Sequence, residues 1–181
     1  MGIGRANAPS ASQSAPNSQG AAPSRALVTR SAADLLEKLQ GRHGALMFHQ
    51  SGGCCDGSSP MCYPVGDFIV GDRDILLAVL DVGDAGVPVW ISGPQFEVWK
   101  HTQLVIDVVP GRGGGFSLEA PEGMRFLSRG RAFTDDENRA LAESPPVTGA
   151  GYEGGARPVS AGTHVVAEAI DACPIPGTPR R

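Results

Sequence analysis

Ser31-Ala32-Ala33-Asp34-Leu35-Leu36-Glu37-Lys38-Leu39-Gln40-Gly41-Arg42-His43-Gly44-Ala45-Leu46-Met47-Phe48-His49-Gln50 changes its hydrophobic period part-way along, and that change decides the fold class. Leu35, Leu36 and Leu39 share one helical face behind a Ser31 and Asp34 pair that matches a capping box with the shorter acid. The spacing predicts a helix over 32–40, ended by Gly41. Residues 45–50 then form a short apolar run that reads as a buried strand leading directly into a glycine-rich loop.

Further along the chain the strand signals dominate. Short strands are expected at 67–70, 74–82 and 87–92, with Gly83, Gly86 and Gly93-Pro94 at the turns. Phe96-Glu97-Val98-Trp99 alternates apolar with polar and 103–109 is rich in β-branched residues, so both read as strands about a bend at Lys100-His101-Thr102. A turn at 111–115, strands at 116–120 and 124–127 and a short helix over 135–141 complete the set. The glycines around Arg112 do not open a helix in a Gly-x-Gly-x-x-Gly register, which excludes a dinucleotide fingerprint there. The expected class is α+β, mainly β: one N-terminal helix packed on a mostly antiparallel sheet system. The expected domain runs over 27–134. Residues 1–26 and 135–181 are rich in Ala, Ser, Pro and Gly, with too little apolar area to offset the entropy of ordering, and read as mostly disordered tails with a weak structured piece at 165–170.

The chain has 181 residues, 41% of them hydrophobic and 19% charged, which suffices for one domain with a buried core. A net charge of -4, without any Lys/Arg cluster interleaved with aromatics, argues against a nucleic-acid surface. No apolar run approaches the roughly 20 residues that cross a bilayer, and 1–30 holds no apolar signal core, so the expectation is a cytoplasmic protein with no membrane partner. Of the four cysteines, Cys54, Cys55 and Cys62 lie together while Cys173 stands alone near the end. That distribution is unlike a secreted disulfide framework.

The chemistry concentrates in His49-Gln50-Ser51-Gly52-Gly53-Cys54-Cys55-Asp56-Gly57-Ser58-Ser59-Pro60-Met61-Cys62. Neighbouring cysteines bridge only through a strained ring, so their sulfurs are better explained as thiols or metal ligands. Cys54, Cys55 and Cys62 offer three soft donors, with a fourth from His49 at the strand end or His101 at the bend. Zinc, iron or an iron-sulfur cluster would suit such a set. The plainer readings are a hydrogen-bonded strand histidine at 49, a solvated loop histidine at 101, a turn residue at Asp56 and a bystander at Cys173. Two further alternatives stand beside the metal: a thiol redox protein in which one vicinal cysteine attacks and the other resolves, with His49 lowering a thiol pKa, and a structural zinc-stapled interaction module.

The stretch from Met47 to Cys62 together with Phe96-Glu97-Val98-Trp99-Lys100-His101-Thr102-Gln103-Leu104 resembles a bacterial domain-of-unknown-function family (DUF779-like) over about 27–134. Members of that family are often encoded beside aldehyde dehydrogenases, and some carry the label acetaldehyde dehydrogenase. The resemblance implies an accessory role in alcohol or aldehyde oxidation. Dehydrogenase activity in this chain is not expected, because such enzymes need a nicotinamide-binding domain that no segment here supplies. The order helix, strand, Gly53-Cys54-Cys55-Asp56-Gly57 also resembles the A-type iron-sulfur carrier (HesB-like) fold, although the carriers' closing Cys-Gly-Cys pair has no counterpart at Phe126-Leu127-Ser128-Arg129. The expected function is therefore a small, non-enzymatic metal-binding or metal/iron-sulfur delivery protein. Its client would be a dehydrogenase or other metalloenzyme, and a symmetric homodimer could complete a site short of ligands.

Overall fold

The first helix starts earlier and ends later than the sequence pattern predicts. In the computed structural model, which describes residues 22–50, 59–113, 115–158 and 164–166, strand β1 (Ala26–Thr29) runs directly into helix α1 (Arg30–His43). Thr29 rather than Ser31 is the N-cap: its backbone is extended and its hydroxyl accepts the Ala32 amide at 3.3 Å. Gly41 does not stop the helix. A glycine in an exposed helix interior costs only about 1 kcal/mol, which the fully buried Leu36 and Leu39 offset. The stop comes at Gly44, whose φ of 76° suits glycine and whose amide closes on the Gln40 carbonyl at 2.9 Å.

The remaining elements are β2 (Leu46–Gln50), β3 (Pro60–Pro64), β4 (Ile75–Leu80), β5 (Val87–Ile91), helix α2 (Gly93–Trp99), β6 (Thr102–Pro110), a 3-10 turn (Ala120–Glu122), β7 (Met124–Ala132), α3 (Asp135–Glu143), β8 (Val147–Thr148), α4 (Gly149–Glu153) and β9 (Val165–Val166). They form a four-stranded sheet in the order β7-β6-β1-β9 and a five-stranded sheet in the order β3-β2-β5-β4-β8. Helix α1 carries the chain from one sheet to the other. Among the described residues four pairings are antiparallel, and three (β1 with β6, β1 with β9, β2 with β5) are parallel, so both sheets are mixed. The class is α+β and mainly β. Val28, Leu36, Leu39, Phe48, Leu104 and Phe126 belong to one buried cluster drawn from both sheets and α1. Phe48 and Phe126 meet edge to face, centroids 5.0 Å apart, so the two sheets face each other across this core.

Several expected strands have another form. Residues 67–70 are loop. Phe96-Glu97-Val98-Trp99 closes α2, because Pro94 suits a first helical turn and Phe96 and Trp99 pack three residues apart beside Ile91, leaving Val98 outside. Residues 116–120 are a turn with inverted burial: Phe116 is exposed while Ser117 and Glu119 are buried. The packed chain also continues past Thr134, beyond the domain end expected there. Thr134 and Glu137 form a capping box at the start of α3, Leu141 is buried, β8 pairs with β4, and β9 lies beside β1. The expectations for 1–21 and 167–181 fall outside the described residues.

Arg131 grips both carboxylate oxygens of Glu137, at 2.9 and 2.8 Å, and this pairing first, with the Thr134 amide helping, holds the carboxyl down to about 2. A carboxyl depressed in the folded state adds stability above its unfolded value near 4.5, and that stability is lost as pH falls towards 2. The pair is solvent-facing, so its contribution is discounted to about 1 kcal/mol. Urea unfolding of Glu137→Gln, which keeps the capping oxygen, should show that deficit at pH 6 and almost none at pH 2; a gap unchanged with pH would refute the assignment.

Candidate functional site

Strands β2 and β3 pair antiparallel on either side of the cysteine-containing stretch 51–58 in the sequence. Cys54 and Cys55 lie in 51–58, outside the described residues. The hairpin register pairs Phe48 with Cys62 and His49 with Met61. Side chains alternate along a strand, so Cys62 enters the core with Phe48 while His49 emerges on the other face of the sheet. Cys62 is fully buried, and burial first, then the nearby Glu119 carboxylate, pushes its thiol up and keeps it protonated. The structure thus does not bring Cys62 and His49 together. His101 sits exposed before β6 in the opposite sheet, with Nδ1 2.9 Å from the Asn138 side-chain oxygen on α3. No cluster of three or more potential metal ligands occurs among the described residues.

On the outer face His49 has a built surrounding. Its Nε2 lies 3.3 Å from Asp74 Oδ2, and its ring is 4.5 Å from Phe68, which in turn stacks on Tyr63 at 5.0 Å. Its strand neighbour in β5 is Trp90. Asp74 is itself fixed at three points: Oδ2 accepts the Gly71 amide at 2.9 Å, its amide reaches the Gly71 carbonyl at 2.9 Å, and its carbonyl accepts the Gly149 amide at 2.8 Å. Burial lowers the His49 pKa and Asp74 only partly opposes this, so the imidazole is neutral at pH 7. A neutral imidazole oriented by a carboxylate at one nitrogen keeps its other nitrogen, Nδ1, as a donor atom.

The inner face is held by a polar chain. The Cys62 amide donates to Ser117 Oγ at 2.8 Å, the Ser117 hydroxyl donates to the Glu119 carboxylate, and Glu119 accepts the Phe126 amide at 3.4 Å. The Leu118 amide completes it by donating to the Cys62 carbonyl at 3.1 Å. Burial raises the Glu119 pKa against the opposing hydrogen bond from Ser117. Gln50, at the end of β2, is fully buried; its side-chain oxygen accepts from Ser128 at 2.8 Å while its Nε2 has no partner among the described residues. These anchors and Asp74 escaped sequence reasoning, which assigned 116–120 and 74–82 to strands. The closely spaced Gly71 and Asp74 were the one local hint of a turn.

The hairpin strands therefore end at Gln50 and begin again at Pro60, with a neutral histidine on one face and a buried thiol on the other. No curated protein and no solved structure matches this chain. A family model described as a domain of unknown function (DUF779) matches residues 35–132, more than half of the 181-residue chain. The matched span includes the hairpin, Asp74 and the Ser117 and Glu119 anchors. The chain thus belongs to the DUF779 family.

Proposed function

We propose that this protein binds a metal through the thiols of Cys54 and Cys55 and the imidazole of His49, and that it serves as a non-enzymatic metal or iron-sulfur delivery protein. The observation that carries the reading is the pairing of His49 with Asp74 near the end of β2, a few residues before Cys54 and Cys55 in the sequence, the carboxylate-imidazole arrangement that orients metal-ligating histidines. The donor chemistry fits zinc or iron, since two thiolates and a neutral imidazole are soft-to-borderline ligands. Cys62 is not counted among the donors, because its protonated sulfur lies in the core behind the strand that presents His49. When bound, the metal would be held as cargo or cross-link rather than used on a substrate. The order of helix, strand and cysteine loop, similar to that of A-type iron-sulfur carriers, favours delivery, and an alcohol or aldehyde oxidation enzyme is the proposed client.

Elemental analysis with an absorption spectrum, on protein purified without oxygen and without a metal-binding tag, tests this. Wild type should carry close to one equivalent of zinc or iron, or an iron-sulfur cluster with sulfide charge-transfer bands. The Cys54→Ser/Cys55→Ser double variant should lose at least about nine-tenths of it, while Cys62→Ala should keep it. Metal-free wild type, or a double variant with full occupancy, would overturn the proposal. Circular dichroism after chelation separates delivery from a structural staple: a delivery protein stays folded when empty, whereas a zinc-stapled domain unfolds.

A further inference from the structure

Strand β4 is unequally covered on its two sides. On one side it pairs with β5 along its length; on the other, β8 reaches only Ile75 and Leu76. The antiparallel register sets Leu76 against Val147, so the residues due to continue the ladder are Pro146 and then Pro145. Neither proline has an amide hydrogen, and the ladder stops. Residues 77–80 have no strand partner on that side among the described residues, and they line a cavity of about 710 Å³. That volume lies within the roughly 300–1,000 Å³ of ordinary ligand pockets. These four edge residues span about 13 Å of backbone, of which the Leu80 carbonyl accepts the Val82 amide at 2.9 Å and the rest is a template for another strand.

The two ends of this groove differ in charge. Near its start Arg25 donates to the Leu141 carbonyl at 3.1 Å and lies 5.3 Å from the Phe96 ring, in the cluster that includes Leu77. Arg157 lies 4.0 Å over the Tyr152 ring, which meets Trp90, the cross-strand neighbour of Leu76. The hydrogen bonds of both guanidinium groups go to backbone carbonyls, and neither has a carboxylate partner among the described residues. At the far end the lining residues include Asp81, Asp84 and His164; His164 is only 6% exposed and its Nδ1 has no hydrogen-bond partner among the described residues.

We propose that the open edge of β4 is a strand-addition site for the carboxyl-terminal peptide of a partner protein. The peptide runs antiparallel to β4, so its terminal carboxylate arrives at Arg25 and Arg157 and a basic residue upstream arrives at Asp81 and Asp84. Main-chain hydrogen bonds to residues 77–80 give affinity, and the charge pattern sets direction. His164 Nδ1 gains a partner that it lacks among the described residues.

Fluorescence anisotropy with the peptide Lys-Val-Thr-Val-Ile, labelled at its amino end through a flexible linker and bearing a free carboxyl terminus, tests the site on the full chain. Saturable binding is expected. Amidating the carboxyl terminus should weaken it at least fivefold, N-methylating alternate amides at least tenfold, and Arg157→Glu protein, verified as folded, by a similar factor. No saturation at millimolar protein would overturn the proposal. So would an N-methylated peptide that binds as well as the parent, which would mark a plain anion pocket instead of strand addition.

Discussion

Phe48→Ala should lower the free energy of unfolding by about 3–5 kcal/mol, the range for removing a large aromatic side chain from a packed core. Phe48 is fully buried, meets Phe126 of the opposite sheet edge to face at 5.0 Å, and is the register partner of Cys62. Two sheets and the hairpin lean on that one ring, so the cavity has little freedom to collapse. Urea unfolding followed by far-ultraviolet circular dichroism measures it. A loss under about 1.5 kcal/mol would mean that the sheets are not joined through this contact, since the lost transfer of the ring alone reaches that size.

Gly149→Ala should cost about 1–3 kcal/mol, the usual penalty of overpacking. A Cβ at Gly149 would stand 2.1 Å from the Gly71 carbonyl oxygen, 3.0 Å from its carbon and 3.4 Å from the Asp72 Cα. All three are backbone atoms with no rotamer to adopt, so the 71–74 turn must move. Asp74 moves with that turn, because the Gly149 amide donates to its carbonyl at 2.8 Å. The variant therefore has a second signature at the site. Burial holds the His49 pKa down and Asp74 is the influence that raises it, so displacing Asp74 should lower the His49 pKa further in an NMR titration. An unchanged His49 titration alongside lost stability would show that the turn yields without moving the carboxylate. Gly41→Ala is the control: nothing lies within 4 Å of its Cβ, and replacing an interior helical glycine gains up to about 1 kcal/mol.

What the sequence made legible was local. Leu36 and Leu39 at helical spacing, the β-branched run now in β6 and the acidic start of α3 each carry their period within a few residues. Phe96-Glu97-Val98-Trp99 was ambiguous because four residues fit two periods, and the burial of Trp99 beside Phe96, with Val98 outside, decided it through tertiary packing. At 116–120 the apolar residue faces out and the polar residues face in, since Ser117 and Glu119 serve the Cys62 backbone. The candidate site shows the same division. Cysteines and a histidine close together in sequence are visible as chemistry, but the faces that His49 and Cys62 take depend on which residue pairs with which across the hairpin. The register of Phe48 with Cys62 puts Cys62 and His49, two candidate donors of the same stretch of sequence, on opposite faces. Asp74 comes to His49 from 25 residues away and has no sequence signal of that role.

The arrangement of β1 bears on how the chain can be made. This strand is among the earliest described segments to leave the ribosome, yet its neighbours are β6 and β9, and Thr29 hydrogen-bonds to Asp107, 78 residues later. During synthesis at about 5–20 residues per second, β1 must wait several seconds for its first partner and longer for its second. Through that interval α1 can coil locally, but the strand before it presents two bare edges and an apolar face. Nascent chains cut off before Val165 would leave β1 without the second of its described neighbours, so both of its edges are covered only once that late strand has been made.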